Sequence, residues 1–377
     1  MEPHGIYNLT IENQPSGRLS SRIGLLRHRT GVPVVPLFLE EVKHPLSREL
    51  HSLEDIETQV LSSSSAWDKA AWETLLPFFE MGGTQAHVVS LPLPSERCDR
   101  LAAMIGFDRG LRHRTGIHAL KNFAEQADLI VVPQASMGLS LEEHRIFYHT
   151  LFDVISPMAH FFTLVDFPKN TDEGSVQTWL SGTFCADAAA YFPWLLHGKR
   201  LTPPAMVTAA AFQSSDSFHG INEIPANRVL SGEYQPLRRF SPAQLQDLLE
   251  HRVNLFHQFG TGEVRIWGGR TLADPMDLDN RFISTRRTML ALREAIHQIC
   301  EPFVLEPMQE GLANLVDVAL QSAFQPIVKV FDPNAKNPFQ TNIEVVSNGA
   351  EDVLKVDVTF SIPYAVDQLS VSLGLTG

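Results

Sequence analysis

The chain is short of basic residues and of long hydrophobic runs. Its 377 residues carry 30 lysines and arginines against 43 aspartates and glutamates, a formal net charge of −13. This balance argues against a nucleic-acid binder, because contact with the phosphate backbone needs a basic surface. No run of about 18 apolar residues occurs, so we predict no membrane-spanning helix. Residues 1–14 contain neither a basic n-region nor an apolar h-region, and we expect no signal peptide and a cytoplasmic compartment.

Cysteines and catalytic motifs are scarce as well. Cys98, Cys185 and Cys300 are far apart and odd in number, which offers neither a disulfide framework nor a paired-cysteine metal site. No P-loop, GxSxG or HExxH pattern occurs. His144 and His149 would diverge on a helix, and we expect them to be surface or core residues. The sequence therefore predicts no catalytic, cofactor-binding or metal-binding residue.

The composition is that of a globular protein, with 44% hydrophobic and 19% charged residues, and the length allows two or three domains. Short apolar segments such as "DLIVVP" and "HFFTLVDFP" alternate with helical patterns such as "LEEHRIFYHTLFDVI". Further helices are predicted from Ser65, from Ser241, over about 279–300 and over about 309–324. Strands that alternate with helices predict an α/β fold with a mainly parallel sheet.

Both ends of the chain show the two-residue period of a half-buried strand. Tyr7, Leu9 and Ile11 share one face near the start; Leu354 to Ile362 alternate without error before Pro363, and Leu369, Val371, Leu373 and Leu375 alternate again after it. A terminal strand orders where another sheet completes its hydrogen bonds. That sheet can belong to the same chain, as an ordinary edge pairing, or to a neighbouring subunit by strand addition.

The segment "VRIWGGRTL" places Gly268 and Gly269 between a tryptophan and an arginine. It does not fit GxGxxG, because no third glycine falls at the right spacing and no helix starts there. The acidic stretch 274–280 lacks the glycine and glutamate of a calcium loop and is predicted to be a helix N-terminus. The arginines of the following helix, Arg281, Arg286, Arg287 and Arg293, indicate a solvated face or ion pairs between subunits.

Taken together, the motifs resemble the contractile tail sheath proteins of myophages, R-type tailocins and related injection systems. The shared pattern comprises Trp267, Gly268, Arg270 and Thr271, then Asp274-Pro275, Arg286-Arg287, and Glu301-Pro302 or Glu306-Pro307. "LPFFEMGGTQAHVVSL", "RTGIHAL", "ADLIVVPQAS", "AAAYFPWL", "IPANRVLSGEY" and "LKVDVTFSIPYAVDQLSVSLG" extend the resemblance over most of the chain from about Leu75.

The resemblance implies an outer α/β domain with a mainly parallel sheet, an inner α+β C-terminal domain, and extended strand arms at both ends. We expect an N-terminal arm over 1–22, the N-terminal segment and α/β domain over 23–262, the C-terminal domain over 263–365 and a C-terminal arm over 366–377. The arms, with Tyr7, Leu9, Ile11, Leu369, Val371, Leu373 and Leu375, would join neighbouring subunits by strand exchange.

The resemblance implies a structural role for "VRIWGGRTL", in which Trp267 fills the core and the two glycines allow a tight turn. It also implies a function without catalysis or cofactor. Subunits would form stacked hexameric rings around an inner tube, with baseplate and tail terminator or cap proteins as further partners. A metastable sheath would assemble in the host bacterial cytoplasm and contract as part of a virion tail or injection particle. Because one chain carries both halves, the paired-subunit sheath of type VI secretion fits less well. The alternative is an α/β enzyme, hydrolase-like or nucleotide-binding, without a recognisable motif.

The helix predicted over 309–324 would face the tube. Its tube-facing residues would be Glu310, Asn314, Asp317, Gln321 and Gln325, while Leu312, Leu315, Ala319 and Phe324 would pack inward. Relatives often carry a basic helix here, whereas this segment has no lysine or arginine. The expected contact is therefore polar and acidic.

Overall fold

The structure is a computed structural model that describes residues 4–11, 31–95, 100–110, 113–122, 127–158, 160–219, 221, 223, 225–230, 233–303, 311–331, 339–347 and 352–363. The chain divides into two compact units. The terminal unit comprises Met1–Ile23 and Ala295–Gly377, and the central unit comprises Gly24–Glu294. We describe each unit by itself.

The central unit contains eleven strands and nine complete helices among its described residues. The strands are β2 (Pro33–Leu39), β3 (Leu46–Leu50), β4 (Ala86–Pro92), β5 (Leu129–Val131), β6 (Phe162–Asp166), β7 (Ala188–Phe192), β8 (Leu195–His197), β9 (Arg200–Thr202), β10 (Tyr234–Pro236), β11 (Val253–Gln258) and β12 (Val264–Trp267). The helices are α1 (Leu53–Ser62), α2 (Ala66–Glu73), α3 (Leu76–Glu80), α4 (Arg100–Ile105), α5 (Pro133–Gly138), α6 (Leu141–Ile155), α7 (Glu173–Leu180), α8 (Pro204–His219) and α9 (Pro242–Glu250). Short 3₁₀ helices span Gly116–Asn122 and Ser156–Met158.

An eight-stranded sheet organises the central unit in the order β12-β11-β7-β6-β5-β2-β4-β3. The six strands from β11 to β4 are parallel, and the two outer strands, β12 and β3, run antiparallel to their neighbours. The predicted α/β class with a mainly parallel sheet is confirmed. A smaller antiparallel sheet has the order β10-β8-β9.

Apolar side chains cover both faces of the large sheet. One cluster packs α6, α7 and the 3₁₀ helix at Gly116–Asn122 against strand residues such as Val34 and Ile130. The other packs α2, α3 and α8 against alternate residues such as Val35 and Leu129. Successive strand residues point to opposite faces, so a sheet covered on both sides needs the continuous apolar runs that these strands have.

Local sequence signals set several helix ends. Ser140 and Glu143 form a reciprocal capping box at the start of α6, and Ser241 and Gln244 form another at α9. The helix predicted from Ser65 is interrupted: α2 ends at Glu73 and α3 begins three residues later, with a proline in its first turn. Proline cannot donate to the preceding turn, which explains the break.

The terminal unit contains a three-stranded sheet in the order β1-β14-β13 and one complete helix within its described part. The strands are β1 (His4–Ile11), β13 (Phe339–Ser347) and β14 (Asp352–Pro363), all antiparallel to their neighbours, and the helix is α11 (Leu312–Phe331). Both strands predicted from the alternating patterns around Leu9 and Val358 are present. A short 3₁₀ helix spans Glu301–Phe303.

The division between the units falls within α10 (Ile283–Cys300), after Glu294. The sequence placed a domain boundary at 262/263, whereas β12 pairs with β11 and therefore belongs to the large sheet. Within the described ranges, no helix combines the length and apolarity needed to cross a bilayer.

Candidate assembly site

The Trp-Gly-Gly-Arg-Thr motif leaves the outer strand β12 in a tight turn. Gly268 has a φ of +120°, and a Cβ there would lie 2.8 Å from Oδ1 of Asn254 and 2.9 Å from Cδ2 of Leu249. The Asn254 amide occupies this space because it binds the main chain of Arg270 twice: the Arg270 amide donates to Oδ1, and Nδ2 donates to the Arg270 carbonyl, both at 2.8 Å. The positive φ and the close approach of Asn254 are compatible with a glycine at position 268 and would strain any other residue.

The same motif leads into the next helix without forming an anion cradle. The Gly269 carbonyl accepts a hydrogen bond from the Ile283 amide at 3.0 Å, at the start of α10. Trp267 lies at the margin of the core rather than filling it, because β12 is the outermost strand. Its ring meets Phe259 edge-on at 5.3 Å.

Thr271 closes the acidic loop that follows. Its amide donates to the Arg281 carbonyl at 3.0 Å, and its hydroxyl donates to the Asn280 carbonyl at 2.6 Å. Asp274 accepts from the Met276 amide at 2.8 Å, and Asp277 accepts from Asn280. The stretch 274–280 is thus a turn and not the helix N-terminus that we predicted, since α10 begins at Ile283 and has no acid in its first turn.

The arginines of α10 do not form the solvated face that the sequence indicated. Arg286 donates to both carboxylate oxygens of Asp187, at 2.5 and 3.1 Å. Arg287 is buried, with 2% of its side chain exposed. The sequence itself indicated this burial. Arg287 follows Ile283 by four residues and precedes Leu290 by three, so the three residues share one helix face.

The carboxyl ends of the parallel strands are where α/β proteins bind ligands, above all where the strand order reverses. Here the reversal lies between β2 and β5. The side-chain amide of Gln134 fills it: Oε1 accepts from the Phe38 amide at 2.6 Å, and Nε2 donates to the Phe38 carbonyl at 2.9 Å. Trp67 donates from Nε1 to the same carbonyl at 2.9 Å, and Arg100 lies 4.1 Å above the Trp67 ring.

The neighbouring strand end, at β6, is also covered. Asp166 and His144 are fully buried, and the Ala205 amide at the start of α8 lies 3.4 Å from Oδ2 of Asp166. Burial raises the pKa of Asp166 to about 7 and lowers the pKa of His144 to about 3. Asp166, His144 and Ser136 are chemically suited to catalysis, yet all three lie inside the core, out of reach of a dissolved substrate.

In the terminal unit, β14 lies between β1 and β13, and three rows of residues cross the sheet. The rows are Tyr7–Phe360–Phe339, Leu9–Val358–Thr341 and Ile11–Val356–Ile343. Val356 and Val358 are buried. In the single chain the N-terminal strand pairs within the chain, and the exchange of Tyr7, Leu9 and Ile11 between subunits stays a prediction. Leu369, Val371, Leu373 and Leu375 lie outside the described residues.

Helix α11 has a buried stripe, in which every fourth residue is buried, and a separate exposed stripe of uncharged residues. The buried residues are Leu312, Val316, Leu320 and Phe324. Leu315 is 61% exposed and Val318 is 64% exposed, so the prediction that Leu315 packs inward is wrong. Buried positions recur every four residues along this helix, and Leu315 lies one position off that stripe.

The residues predicted to face the tube differ in their exposure to solvent on α11. Asn314 is exposed, and Asp317 and Gln321 are half-buried. Glu310 and the side chain of Gln325 lie outside the described residues. The exposed stripe of α11 thus consists of Asn314, Leu315, Val318 and Ser322. Their assignment to a tube-facing surface stays a prediction.

No family model and no curated protein matches the sequence. Solved structures do match. The helical sheath of the anti-feeding prophage in its contracted state is similar over 97% of this chain and 98% of that chain, with a TM-score of 0.68 and 19% identity. The contracted PVC sheath complex of an extracellular contractile injection system is similar over 97% and 98%, with a TM-score of 0.65 and 15% identity. A sheath tail protein from Desulfitobacterium hafniense is similar over 93% and 100%, with a TM-score of 0.56 and 9% identity. The resemblance drawn from the motifs is confirmed at the level of architecture: this chain has the fold of the contractile sheath proteins.

Proposed function

We propose that the chain is the structural subunit of a contractile sheath. It polymerises as stacked hexameric rings around an inner tube and contracts to drive that tube through a target envelope. The observation that carries this proposal is similarity to sheath structures over 97% of the chain. A match of that extent covers both units, so both are proposed to serve the same assembly.

The closed carboxyl edge of the large sheet favours this role over an enzyme. Gln134 and Trp67 fill the reversal point of the strand order, and Asp166 and His144 are buried. A ligand at this edge would have to displace the Gln134 amide from two hydrogen bonds to β2. We therefore propose a subunit without catalytic function, whose working surfaces contact other proteins.

The arms are proposed to connect subunits. In the free chain β1 pairs with β14, and β1 and β13 form the two edges of the three-stranded sheet. Residues 369–375 of a neighbouring copy carry the alternating pattern needed to extend such a sheet by strand addition. In the polymer, residues 4–11 can exchange between copies with the same register that they have within one chain.

The exposed stripe of α11 is proposed to face the inner tube. Exposed apolar residues next to uncharged polar ones are typical of a contact that excludes water without ion pairs. Baseplate and cap proteins are the further partners of this proposal. The particle would assemble in a bacterial cytoplasm and act as a virion tail or injection machine.

Negative-stain microscopy of the purified full-length chain tests the proposal, and tubes are expected. In the C-terminal arm, the double substitution Val371→Asp and Leu373→Asp should abolish tubes, because it charges the alternating apolar face. The matched double substitution Ser370→Asp and Ser372→Asp charges the opposite face and should leave tubes intact. Absence of tubes from the unmodified chain would contradict the sheath role, and tubes from both variants would contradict the arm assignment alone.

A further inference from the structure

One guanidinium and two carboxylates form a buried ionic cluster in the central unit. Arg287 donates from Nη1 to Oδ1 of Asp216 at 2.8 Å and from Nη2 to Oδ2 of Asp216 at 2.5 Å. Nη2 also donates to Oδ2 of Asp128 at 3.0 Å. The Phe212 ring lies under the guanidinium, with its centroid 4.7 Å from Cζ. These charge-assisted bonds fix both the position and the orientation of Arg287.

Stability alone is a weak explanation for this cluster. Buried ion pairs cost desolvation, and apolar side chains of similar volume often stabilise a fold as well or better. With both carboxylates ionised, the cluster holds one surplus negative charge, and Oδ1 of Asp128 has no hydrogen-bond partner. Burial raises the pKa of Asp128 to about 6, although the nearby Arg287 opposes the shift. Tyr191 is a further titratable group close to Arg287. A costly cluster of this kind calls for a role that apolar packing cannot perform.

Two described segments of the central unit that lead toward the terminal unit, at Gly31 and in α10, meet this cluster. Arg287 lies on α10, two helical turns before the division at Glu294. The other connection precedes Gly31, the first residue described after β1. Gly31 has a φ of +63°, and a Cβ there would lie 2.8 Å from the amide nitrogen of Gln213 on α8 and 2.9 Å from Oδ2 of Asp216. The main chain at Gly31 therefore packs directly against the carboxylate that binds Arg287.

The two aspartates connect this meeting point to the rest of the central unit. Asp216 lies on α8, which packs on one face of the large sheet. The Asp128 amide donates to the Val32 carbonyl at 3.2 Å, and its carbonyl accepts from the Phe162 amide at 2.8 Å. The cluster thus connects α10 and Gly31 to α8 and to the amino ends of the central strands.

We propose that the Arg287–Asp216–Asp128 cluster is a shared anchor, at which the central unit holds both chain segments that lead to the terminal unit. Directional, charge-assisted bonds resist sliding of α10 along its axis, which non-directional apolar contacts do not. This anchor is a feature of the single chain and would be present in a subunit of any assembly. In a contractile sheath, force carried by either connection would reach the central unit at this cluster.

Hydrogen exchange measured by mass spectrometry on the free full-length chain tests the anchor. Arg287→Lys keeps the charge and loses the forked geometry, so the variant should fold. We expect exchange to rise on the order of tenfold at two places, residues 31–34 and residues 283–294. Arg286→Met is the matched control: it removes an ion pair from the same helix, but Arg286 binds Asp187. Exchange in this control should rise in 283–294 and stay unchanged in 31–34.

Gly31→Ala tests the anchor from its other side. The added methyl group would crowd the Gln213 main chain and Asp216 Oδ2 on α8. Because Asp216 binds Arg287, faster exchange is expected in residues 283–294, although these are remote in sequence. The proposal is overturned if Arg287→Lys affects 283–294 alone, or if Gly31→Ala leaves 283–294 unchanged. It is also overturned if Arg287→Lys accelerates exchange equally in β4, because the cluster would then stabilise the fold as a whole without anchoring the connections.

Discussion

The central and terminal units differ in the size of their main sheets and in the share of strands that lie at a sheet edge. In the central unit, apolar side chains cover both faces of an eight-stranded sheet, two of whose strands are edges, and the buried Arg287 is paired with Asp216 within the unit. In the terminal unit, two of the three strands are sheet edges, and α11 exposes Leu315 and Val318. A larger share of the terminal sheet therefore lies at an edge, and we propose that other chains are added there. Exposed apolar side chains do not distinguish the units, since Phe218 and Met276 of the central unit are exposed as well.

The tryptophans allow this comparison to be tested one unit at a time. All five, Trp67, Trp72, Trp179, Trp194 and Trp267, lie in the central unit. Tryptophan fluorescence therefore reports the unfolding of the central unit, while far-ultraviolet circular dichroism reports both units.

The largest expected effect is in the core of the central unit. Phe212 is fully buried on α8 between Phe162, Tyr191 and Arg287. Phe212→Ala should lower the free energy of unfolding by about 3–5 kcal/mol, because it leaves a cavity. Urea unfolding followed by tryptophan fluorescence measures the loss. Phe218→Ala on the same helix is the control: Phe218 is 81% exposed, and its loss should stay within about 0.5 kcal/mol. Equal losses would contradict the assigned face of α8.

In the terminal unit, the expected contrast lies along α11. Leu320 is fully buried, and Leu320→Ala should cost about 2–5 kcal/mol. Leu315→Ala should cost less than about 0.5 kcal/mol in the free subunit. The loss should appear in the circular dichroism transition and leave the fluorescence midpoint in place. A fluorescence midpoint that moves with Leu320→Ala would show that the two units unfold together.

A smaller effect, specific to the central unit, concerns pH. Burial raises the pKa of Asp166 to about 7 and that of Asp128 to about 6, from an ordinary value of 3.8. The folded chain holds these protons more tightly than the unfolded chain, so the stabilisation is full below the ordinary value and is lost as the pH rises through 6 and 7. We expect a loss of roughly 1–2 kcal/mol between pH 6 and pH 8.

Urea midpoints by tryptophan fluorescence at pH 6, 7 and 8 measure this loss, and Asp166→Asn should remove most of the slope. His144 acts in the opposite direction at pH 6, because its pKa is lowered to about 3 and the unfolded chain takes up a proton below the ordinary value of 6.5. The comparison of Asp166→Asn with the unmodified chain isolates the carboxyl contribution, and equal pH slopes in the two proteins would contradict the burial of a neutral Asp166.

Sequence patterns predicted the elements whose apolar residues lie on one face. The segment "LEEHRIFYHTLFDVI" matches α6 residue for residue, and the alternation around Val358 gave β14. In contrast, α8 carries apolar residues on nearly every side of its first three turns, so it shows little of the period that identifies a surface helix. Its burial beneath other elements depends on the tertiary fold, which a local pattern does not encode.

Strand β2 was missed for a different reason. Pro33 and Pro36 lie within it, and proline argues against a central strand. The structure resolves the conflict, because β5 pairs with β2 only at Pro33 and Val34. The main-chain amide of Phe38 points toward Gln134, and the nitrogen of Pro36 faces the same side of β2. Because β5 does not pair with β2 at this position, the amide hydrogen that Pro36 lacks is not needed by a neighbouring strand. The Gln134 side chain makes the hydrogen bonds to β2 that the main chain of a longer β5 would make, and no sequence motif marks this arrangement.

Among the site residues, those within a local motif could be predicted from the sequence, whereas those with distant partners could not. Gly268 was predicted because its neighbours form a recognisable motif, whereas Asn254, which fills the space left by that glycine, lies in a separate segment of the sequence. Arg287 was assigned to a basic face because charge alone was considered. Its spacing relative to Ile283 and Leu290 indicated burial, but its two aspartate partners are 71 and 159 positions away.

The uncharged stripe of α11 has a mechanical consequence. Asn314, Leu315, Val318 and Ser322 present no fixed charge along the exposed side of the described helix turns. A partner that moves past a row of ion pairs must break and remake each one at every step, which creates barriers to translation. A stripe of small polar and aliphatic groups gives a nearly level energy profile instead. If α11 faces the inner tube, as proposed above, the tube could move past this surface without breaking and remaking ion pairs.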